Sequence, residues 1–448
     1  MQSNLSENFA LDLNLIEGFD HYYRTDKNDV HKIVKIGDQI FVRSLPKGSF
    51  NKSKNASAAW WRSFLDNEDR FNFPHTQDST ENQTISYVDL FSSVGGLSLG
   101  LDEAIRSIGF QPKPLVAVDI DEGALRVHRH NHETERLINE SVANLVDYKI
   151  EIADGNAQFS YPPEILDVKL RDQISNVDVI LAGPPCQGHS TLNNYSRGND
   201  PRNELYLTVP AIAIASGAKA VIIENVPNVI NDFGNVVEIT KQLLTSAGYQ
   251  ITTALLQAHK LGWAQTRKRY FIVATLGYSP INLETLSTVL EEKATSVEWA
   301  IDKLSVTYED SKHVMNSVAD TKKINQDRID WLFENNAYEL PNDIRPDCHK
   351  DGHTYPSVYG RMKWNEPAPT LTTGFSSPGR GRFIHPKERR VLTPREAARL
   401  QGFPNWFNFS VSTKSPAKKV QLTKWIGDAV PSILGYVVGI SALAFKNR

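Results

Sequence analysis

One cysteine in this sequence stands where a thiol could do chemistry. Cys186 follows the apolar run 177–181 and the prolines Pro184 and Pro185. Proline cannot donate to a sheet ladder, so the predicted strand stops there and the thiol lies just past its carboxyl end. In an open α/β sheet, ligands bind at that edge. The position favours a chemical role for Cys186 over the commoner role of a small buried hydrophobe.

A glutamate closes another apolar strand. The run 218–226 predicts a fully buried strand that ends in Glu224 and Asn225. A carboxyl group at that position is either paired structurally or raised in pKa for proton transfer. The strand pattern alone leaves both interpretations open.

Two further strands, 249–257 and 269–276, flank a basic segment. Side-chain alternation puts Gln265, Arg267 and Arg269 on one face of it. The alternative is an exposed edge strand protected by its charges.

A glycine turn joins an earlier strand, 84–91, to a helix through Gly95 and Gly96. The next strand ends in Asp119, near the spacing of about 20 residues at which an acidic side chain meets a ribose hydroxyl. The dinucleotide pattern G-x-G-x-x-G is absent, which disfavours NAD and leaves an adenosine-containing ligand without a pyrophosphate open. A third predicted strand, 148–153, ends in Asp154.

Composition bounds the class of protein. The 448 residues carry a net charge of −3, but residues 343–420 contain 14 Lys and Arg against 6 Asp and Glu, so the charge is polarised. Two distant cysteines indicate a reducing cytosol. We find no signal peptide, and the apolar run 430–445 predicts a core helix rather than the roughly 20 residues of a membrane span.

The first 84 residues predict a strand pair within 33–42 and a helix starting at the two adjacent tryptophans Trp60 and Trp61. A packed accessory layer is the favoured interpretation. The alternative is a DNA contact through basic side chains, namely Arg43, Lys47, Lys52 and Lys54.

Seven short motifs together resemble the cytosine carbon-5 DNA methyltransferase family of bacterial restriction-modification type. They are DLFSSVGG (89–96), AVDID (117–121), PPCQG (184–188), ENV (224–226), QTRKR (265–269), RRVLTPREAARLQGFP (389–404) and GDAVP (427–431). Their order matches the family, and the resemblance covers residues 87–444.

The resemblance implies a catalytic set. Cys186 would attack carbon 6 of a cytosine and Glu224 would protonate its ring nitrogen 3, while Arg267, Arg269 and Gln265 would line the pocket. A thiol of pKa near 8.5 needs a cationic neighbourhood to ionise, which the arginines could supply. The base that removes the carbon-5 proton is not identified.

The resemblance also implies S-adenosylmethionine as the methyl donor. The residues expected around the donor are Phe91, Gly95, Gly96, Asp119, Ile120, Asp154, Pro184, Asp428, Ala429 and Val430. Three positions depart from the family: Ser93 replaces a usual glycine, His189 a common phenylalanine and Asp428 a usual asparagine.

The region 277–388 is where the family carries its target-recognition domain. Aromatic and basic side chains alternate there, and 376–383 looks like a basic loop suited to phosphate contacts. We expect DNA contacts from Gln187, Ser190, Arg361, Lys363, Arg380 and Arg382. A metal site at Cys348, His349 and His353 is disfavoured because a fourth ligand is missing, and we predict no metal.

We therefore predict an α/β enzyme with a doubly wound, mostly parallel sheet of the S-adenosylmethionine-dependent methyltransferase type and a smaller DNA-reading domain. The predicted parts are an extension of unknown role (1–84), the catalytic and donor-binding domain (85–276), the target-recognition domain (277–388) and C-terminal helices that complete the catalytic domain (389–448).

The predicted activity is methyl transfer to carbon 5 of a cytosine flipped out of a specific duplex sequence. A monomeric, cytoplasmic protein is expected, with double-stranded DNA as substrate and a restriction endonuclease as functional partner. Two alternatives stay open: a tRNA cytosine-5 methyltransferase, and a catalytically inactive regulator that binds DNA.

Overall fold

The computed structural model describes residues 16–47, 55–69, 83–185, 205–304, 313–350, 357–410 and 417–446. In these ranges the strands are β1 (Phe19–Thr25), β2 (Asp29–Ile36), β3 (Gln39–Pro46), β4 (Thr84–Leu90), β5 (Gln111–Val118), β6 (Arg136–Ile138), β7 (Val146–Asp147), β8 (Ile150–Ala153), β9 (Asn156–Phe159), β10 (Glu164–Ile165), β11 (Val179–Ala182), β12 (Ala220–Asn225), β13 (Tyr249–Gln257) and β14 (Lys268–Leu276). The helices are α1 (Ala56–Asp66), α2 (Gly96–Ser107), α3 (Glu122–His132), α4 (Val168–Ile174), α5 (Thr208–Ser216), α6 (Val236–Ser246), α7 (Leu283–Val289), α8 (Val297–Ile301), α9 (Lys323–Glu334), α10 (Pro394–Gln401), α11 (Lys419–Asp428) and α12 (Ser432–Leu443).

Seven strands form the central sheet in the order β13-β14-β12-β11-β4-β5-β6. The five strands from β12 to β6 run parallel to their neighbours, whereas β14 is antiparallel to both β12 and β13. Helices cover both faces, so β11 and β12 are buried along their whole length. The predicted fold class is confirmed.

The order of the strands reverses between β4 and β11. From β4 the chain moves outward through β5 to β6, then returns to place β11 on the other side of β4. Ala182 pairs with Leu90 at the ends of these two strands, and Gly183 N donates to Leu90 O at 3.2 Å. Such a reversal opens a crevice at the carboxyl ends of the strands. The glycine turn and the strand that leads to Cys186 therefore border the same crevice.

The N-terminal residues form a separate antiparallel sheet, β1-β2-β3, which packs with α1 against α2 and α12. The predicted strand pair corresponds to β2 and β3, while β1 was missed and α1 begins before Trp60. Arg43 is buried and bonded to Glu103, so the alternative interpretation, a DNA contact, is wrong for this residue; Lys52 and Lys54 lie outside the described residues.

The predicted target-recognition segment is split between two cores. Residues of α7 and α8 pack into the large core beside the central sheet. A second small core begins at Ile329 and includes Leu332, Tyr359 and Ile384. The part of 277–388 that has its own core therefore starts well after residue 277.

The C-terminal helix α12 is buried at every position and packs along α2. Among the described residues, no single helix is long and apolar enough to cross a membrane. Helices α11 and α12 together have the length and apolar composition of a membrane span, but the chain bends by 41° between them.

Candidate active site

Glu224 lies at the carboxyl end of β12, beside the end of β11. A methyl group added at Gly183 would lie 3.6 Å from Glu224 Oε2, and Asn225 Nδ2 donates to Pro184 O at 3.3 Å. The glutamate is thus next to the chain that leads into Cys186. The thiol itself, with Gln187, His189 and Ser190, lies outside the described residues.

Opposing effects act on the carboxyl of Glu224. Burial raises its pKa, whereas the charges of Arg269 and Arg267 lower it, and the net result is a pKa above the ordinary value. Arg269 Nε lies 2.6 Å from Glu224 Oε1. Burial therefore favours a protonated carboxyl that an arginine orients, which is the state a proton donor needs.

Arg267 faces a different set of groups. Its Nη1 donates to Leu371 O at 2.7 Å and to Gly427 O at 3.2 Å, and its Nη2 donates to Asp428 O at 3.1 Å. The guanidinium therefore connects the residue before β14 to Leu371 and to the C-terminal end of α11. Arg267 acts on Glu224 through its charge while its hydrogen bonds hold the C-terminal segment.

Gln265 is fully buried. Its Nε2 donates to Leu400 O and to Gln401 Oε1, each at 3.1 Å, and its Oε1 accepts from Leu371 N at 3.3 Å. Both ends of the amide are thus used inside the protein. The prediction that Gln265 lines the pocket is wrong, because sequence alternation gives the side of the strand but not the segment that covers it.

The turn after β4 contains three residues in the left-handed backbone conformation, which is strained for residues other than glycine. Phe91, Ser93 and Gly95 have φ values of 60°, 47° and 86°. A left-handed conformation costs a side chain roughly 1 kcal/mol, which explains why glycine suits position 93. Ser93 N donates to Asp119 Oδ2 at 2.8 Å, so the strained turn is fastened to the end of β5.

Asp119 and Ile120 form the neighbouring wall. Asp119 also accepts from Asp121 N at 2.8 Å, and burial raises the pKa of its carboxyl. Ile120 is 78% exposed, directly beside this half-buried acid. An acidic group next to an uncovered apolar side chain suits a ligand with a hydroxylated sugar and a flat apolar ring.

The chain's last segment meets this turn. A methyl group added at Gly96 would lie 3.1 Å from Ala429 Cβ and 3.3 Å from Val430 O. Asp428 is exposed, and its carboxylate lies 3.4 Å from Lys424 Nζ. The structure thus brings Phe91, Gly95, Gly96, Asp119, Ile120, Ala429 and Val430 to one edge of the sheet.

Asp154 does not join this group. It occupies the turn of the β8-β9 hairpin, which is separate from the central sheet and packs against α6. The third strand of the parallel edge is β6, not the predicted strand ending at Asp154. The prediction of Asp154 beside the adenine is wrong because a two-stranded hairpin shows the same local pattern as a sheet strand.

The predicted DNA residues divide into two kinds. Arg361 donates to Pro386 O at 2.6 and 2.9 Å and stacks on Phe333, and Arg382 is bonded to Glu339 and Tyr338. Lys363 and Arg380 are exposed. The guanidiniums of Arg361 and Arg382 thus organise the small domain, and the DNA contacts expected of these four residues stay predictions.

A cluster of His385, Glu388 and Glu396 has the side-chain types of a metal site. Arg390 lies within 2.8 Å of Glu388 and 2.7 Å of Glu396, so a positive charge is already present. Of the loop residues at which a metal site was disfavoured, Cys348 is exposed and His353 lies outside the described residues.

Sequence reasoning missed a buried pair of histidines, His128 and His132, on α3 below the glycine turn. Their spacing of four residues on a helix that follows Asp119 was a usable signal.

Two solved structures share this fold. A methyltransferase of Spodoptera frugiperda, DNMT2, superimposes with a TM-score of 0.52 at 18% identity, covering 81% of this chain and 100% of that one. The Entamoeba histolytica methyltransferase EhMeth gives 0.51 at 15% identity, covering 82% and 100%. The architecture is that of the α/β methyltransferases.

The sequence pattern of the C-5 cytosine-specific DNA methylases matches residues 85–441. The chain belongs to this family and is a DNA cytosine-5 methyltransferase. It is 37% identical over 444 residues to the Type II methyltransferase M1.BsuMI of Bacillus subtilis, covering 98% of this chain and 99% of the relative. The Type II methylase M.HgiDII of Herpetosiphon aurantiacus is 29% identical, with 80% and 95% covered.

Proposed function

We propose that this enzyme methylates carbon 5 of a cytosine flipped out of a specific duplex sequence, using S-adenosylmethionine, with Cys186 as nucleophile and Glu224 as proton donor. The observation that carries the proposal is the buried Glu224 carboxyl, raised in pKa, paired with Arg269 and adjacent to the strand end that leads to Cys186.

The chemistry requires both groups. Carbon 5 of cytosine is a poor nucleophile until the thiolate of Cys186 bonds to carbon 6. As that bond forms, electrons move toward ring nitrogen 3, which takes the proton of Glu224. Carbon 5 is then nucleophilic and accepts the methyl group. Loss of the carbon-5 proton to a base returns the electron pair, which expels the thiolate.

The residues at the β4 and β5 ends fit the donor. The Asp119 carboxylate suits the ribose hydroxyls, and the exposed Ile120 side chain suits one face of the adenine. The turn has no side chain at Gly95 or Gly96, so Ala429 and Val430 pack directly beside Gly96. When bound, S-adenosylmethionine supplies a methyl group activated by a sulfonium charge.

The biological setting we propose is a restriction-modification system in the cytoplasm. Two relatives named Type II methyltransferase or methylase support it, one of them similar over nearly the full length of both chains. The enzyme would act as a monomer on double-stranded DNA and protect it from a partner endonuclease of the same sequence specificity.

Trapping on 5-fluorocytosine tests the proposal. Fluorine cannot leave as a proton does, so DNA carrying this base should remain bonded to the wild type and be retained on a denaturing gel. Cys186→Ala should give no retained complex, and Cys348→Ala, which removes the other cysteine, should give as much as the wild type. Equal trapping by Cys186→Ala would contradict the assignment of the nucleophile.

A second assay separates the alternative substrates. Tritium transfer from labelled donor should occur with plasmid DNA and not with tRNA. Transfer to tRNA alone would replace the DNA assignment, and transfer to neither would favour the inactive regulator.

A further inference from the structure

Two histidine rings lie stacked in the protein interior directly below the glycine turn. His128 and His132 are both fully buried on α3, and their ring centroids are 4.6 Å apart at an interplanar angle of 37°. Their side chains are therefore held by other parts of the fold.

Each ring is bonded to a buried carboxylate from a different element. His128 Nε2 lies 3.1 Å from Asp89 Oδ2, at the end of β4. His132 Nδ1 lies 2.8 Å from Asp102 Oδ2, on α2. A carboxylate only accepts, so both contacting ring nitrogens donate their protons. The two histidines therefore connect α3 to the elements on either side of the glycine turn.

The two carboxylates are held in turn. Ser98 Oγ donates to Asp89 Oδ2 at 2.5 Å, and Tyr87 Oη donates to Asp102 Oδ1 at 3.0 Å. On the other side of His128, Nδ1 lies 2.9 Å from Thr134 Oγ1. Buried polar groups connected in this way allow few alternative rotamers, because each rotation would leave a partner without its hydrogen bond.

Gly95 rests on the edges of both rings. A methyl group added there would lie 2.3 Å from His132 Nε2 and 2.9 Å from His128 Cδ2, distances at which side chains cannot remain. Gly95 is also the N-cap residue that precedes α2, and it has a left-handed conformation with φ +86°. The backbone of the turn is therefore packed directly against the two rings, with no room for a side chain between them.

We propose that His128 and His132 are positioning residues for S-adenosylmethionine. Their rings contact the backbone of the Gly95 turn and fix its position, and they thereby determine the shape of the donor site. This inference rests on the proposed function, since it assumes that the turn contacts the donor. A purely structural role would contribute to stability without a specific effect on donor affinity.

His132→Asn tests whether the ring at this position holds the Gly95 turn in place. The asparagine amide can still donate to Asp102, but the ring below Gly95 is gone. We expect the dissociation constant for S-adenosylhomocysteine, measured by calorimetry without DNA, to rise about tenfold. DNA affinity and kcat at saturating donor should stay within about twofold. His130→Asn, an exposed histidine on the same helix, is the matched control and should leave all of these unchanged.

A double-mutant cycle with Gly95→Ala gives a readout that stability alone would not produce. In the wild type the new methyl group meets both rings, whereas in His132→Asn only the 2.9 Å approach to His128 remains. Gly95→Ala should therefore weaken donor binding at least about threefold less in that background. Gly277→Ala has the same φ of +86° with nothing within 4 Å, and reports the backbone strain alone. If His132→Asn does not fold, His132→Gln, which also removes the ring, takes its place in the affinity measurement.

The outcomes are distinct. Unchanged donor affinity in a folded His132 variant, or additive effects of Gly95→Ala and His132→Asn, would overturn the inference and leave the proposed function intact. A wild type that binds neither S-adenosylmethionine nor S-adenosylhomocysteine would overturn both.

Discussion

Arg269 Nε and Glu224 Oε1 lie 2.6 Å apart, while Arg267, two residues before, directs its guanidinium to three backbone carbonyls. The two arginines of the QTRKR motif thus have different roles. One orients the candidate proton donor, and the other holds the chain beside the candidate donor site.

Glu224→Gln should abolish the proton donor while keeping the shape of the side chain. We expect kcat to fall roughly 10²- to 10⁴-fold, the usual contribution of a positioned acid or base. Donor affinity should remain, because Glu224 lies at the β12 end rather than at the β4 turn. Single-turnover methylation and calorimetry measure the two quantities, and an unchanged kcat would exclude Glu224 as the acid.

Asp428→Asn should change the pH dependence of methylation. The charge of Asp428 raises the pKa of Glu224, so its removal lowers that pKa. Glu224 then loses its proton at a lower pH, and the alkaline fall in kcat should move to lower pH. Asp154→Asn, an exposed acid on the remote hairpin, should leave the profile in place. A shift to higher pH would contradict the arrangement.

Arg267→Ala should loosen the C-terminal end of α11. Three carbonyls, of Leu371, Gly427 and Asp428, lose their donor, and unpaired buried acceptors cost about 1–3 kcal/mol each at most sites. We expect a fall in Tm together with weaker donor binding, because Ala429 and Val430 follow this anchor. Arg395→Ala, at a half-buried arginine on α10, provides a comparison by differential scanning fluorimetry. Full donor affinity in a folded Arg267→Ala would contradict the coupling.

Glu103→Gln should destabilise the attachment of the N-terminal sheet. Glu103 is buried between Lys32 and Arg43, whose charges lower its pKa although burial acts to raise it. Removing the carboxylate leaves two buried cations, at a cost of about 3–5 kcal/mol. Asp327→Asn breaks the exposed pair with Lys323, which solvent screens, and should change stability far less. Denaturant unfolding of the two variants compares these effects.

The small domain offers a test of which arginines meet DNA. Arg380 is exposed, so Arg380→Ala should weaken DNA binding and reduce the slope of log affinity against log salt by about one. Arg361→Ala should instead lower stability, because its guanidinium is bonded to Pro386 O and stacked on Phe333. An unchanged salt slope for Arg380→Ala would remove it from the interface.

The sequence by itself determined the strands and what stands at their ends. Apolar runs stopped by glycine, proline or an acidic residue are local signals, so the ends that carry Glu224, Asp119 and Gly95 could be predicted without coordinates. The tertiary structure decided which groups meet. Arg267 bonds to Leu371, 104 residues away, and Gln265 is covered by α10. Asp154 belongs to a separate hairpin, and two histidines support Gly95. Local periodicity gives the face on which a side chain lies but carries no information about the distant segment that packs against it, and these assignments depend on that segment.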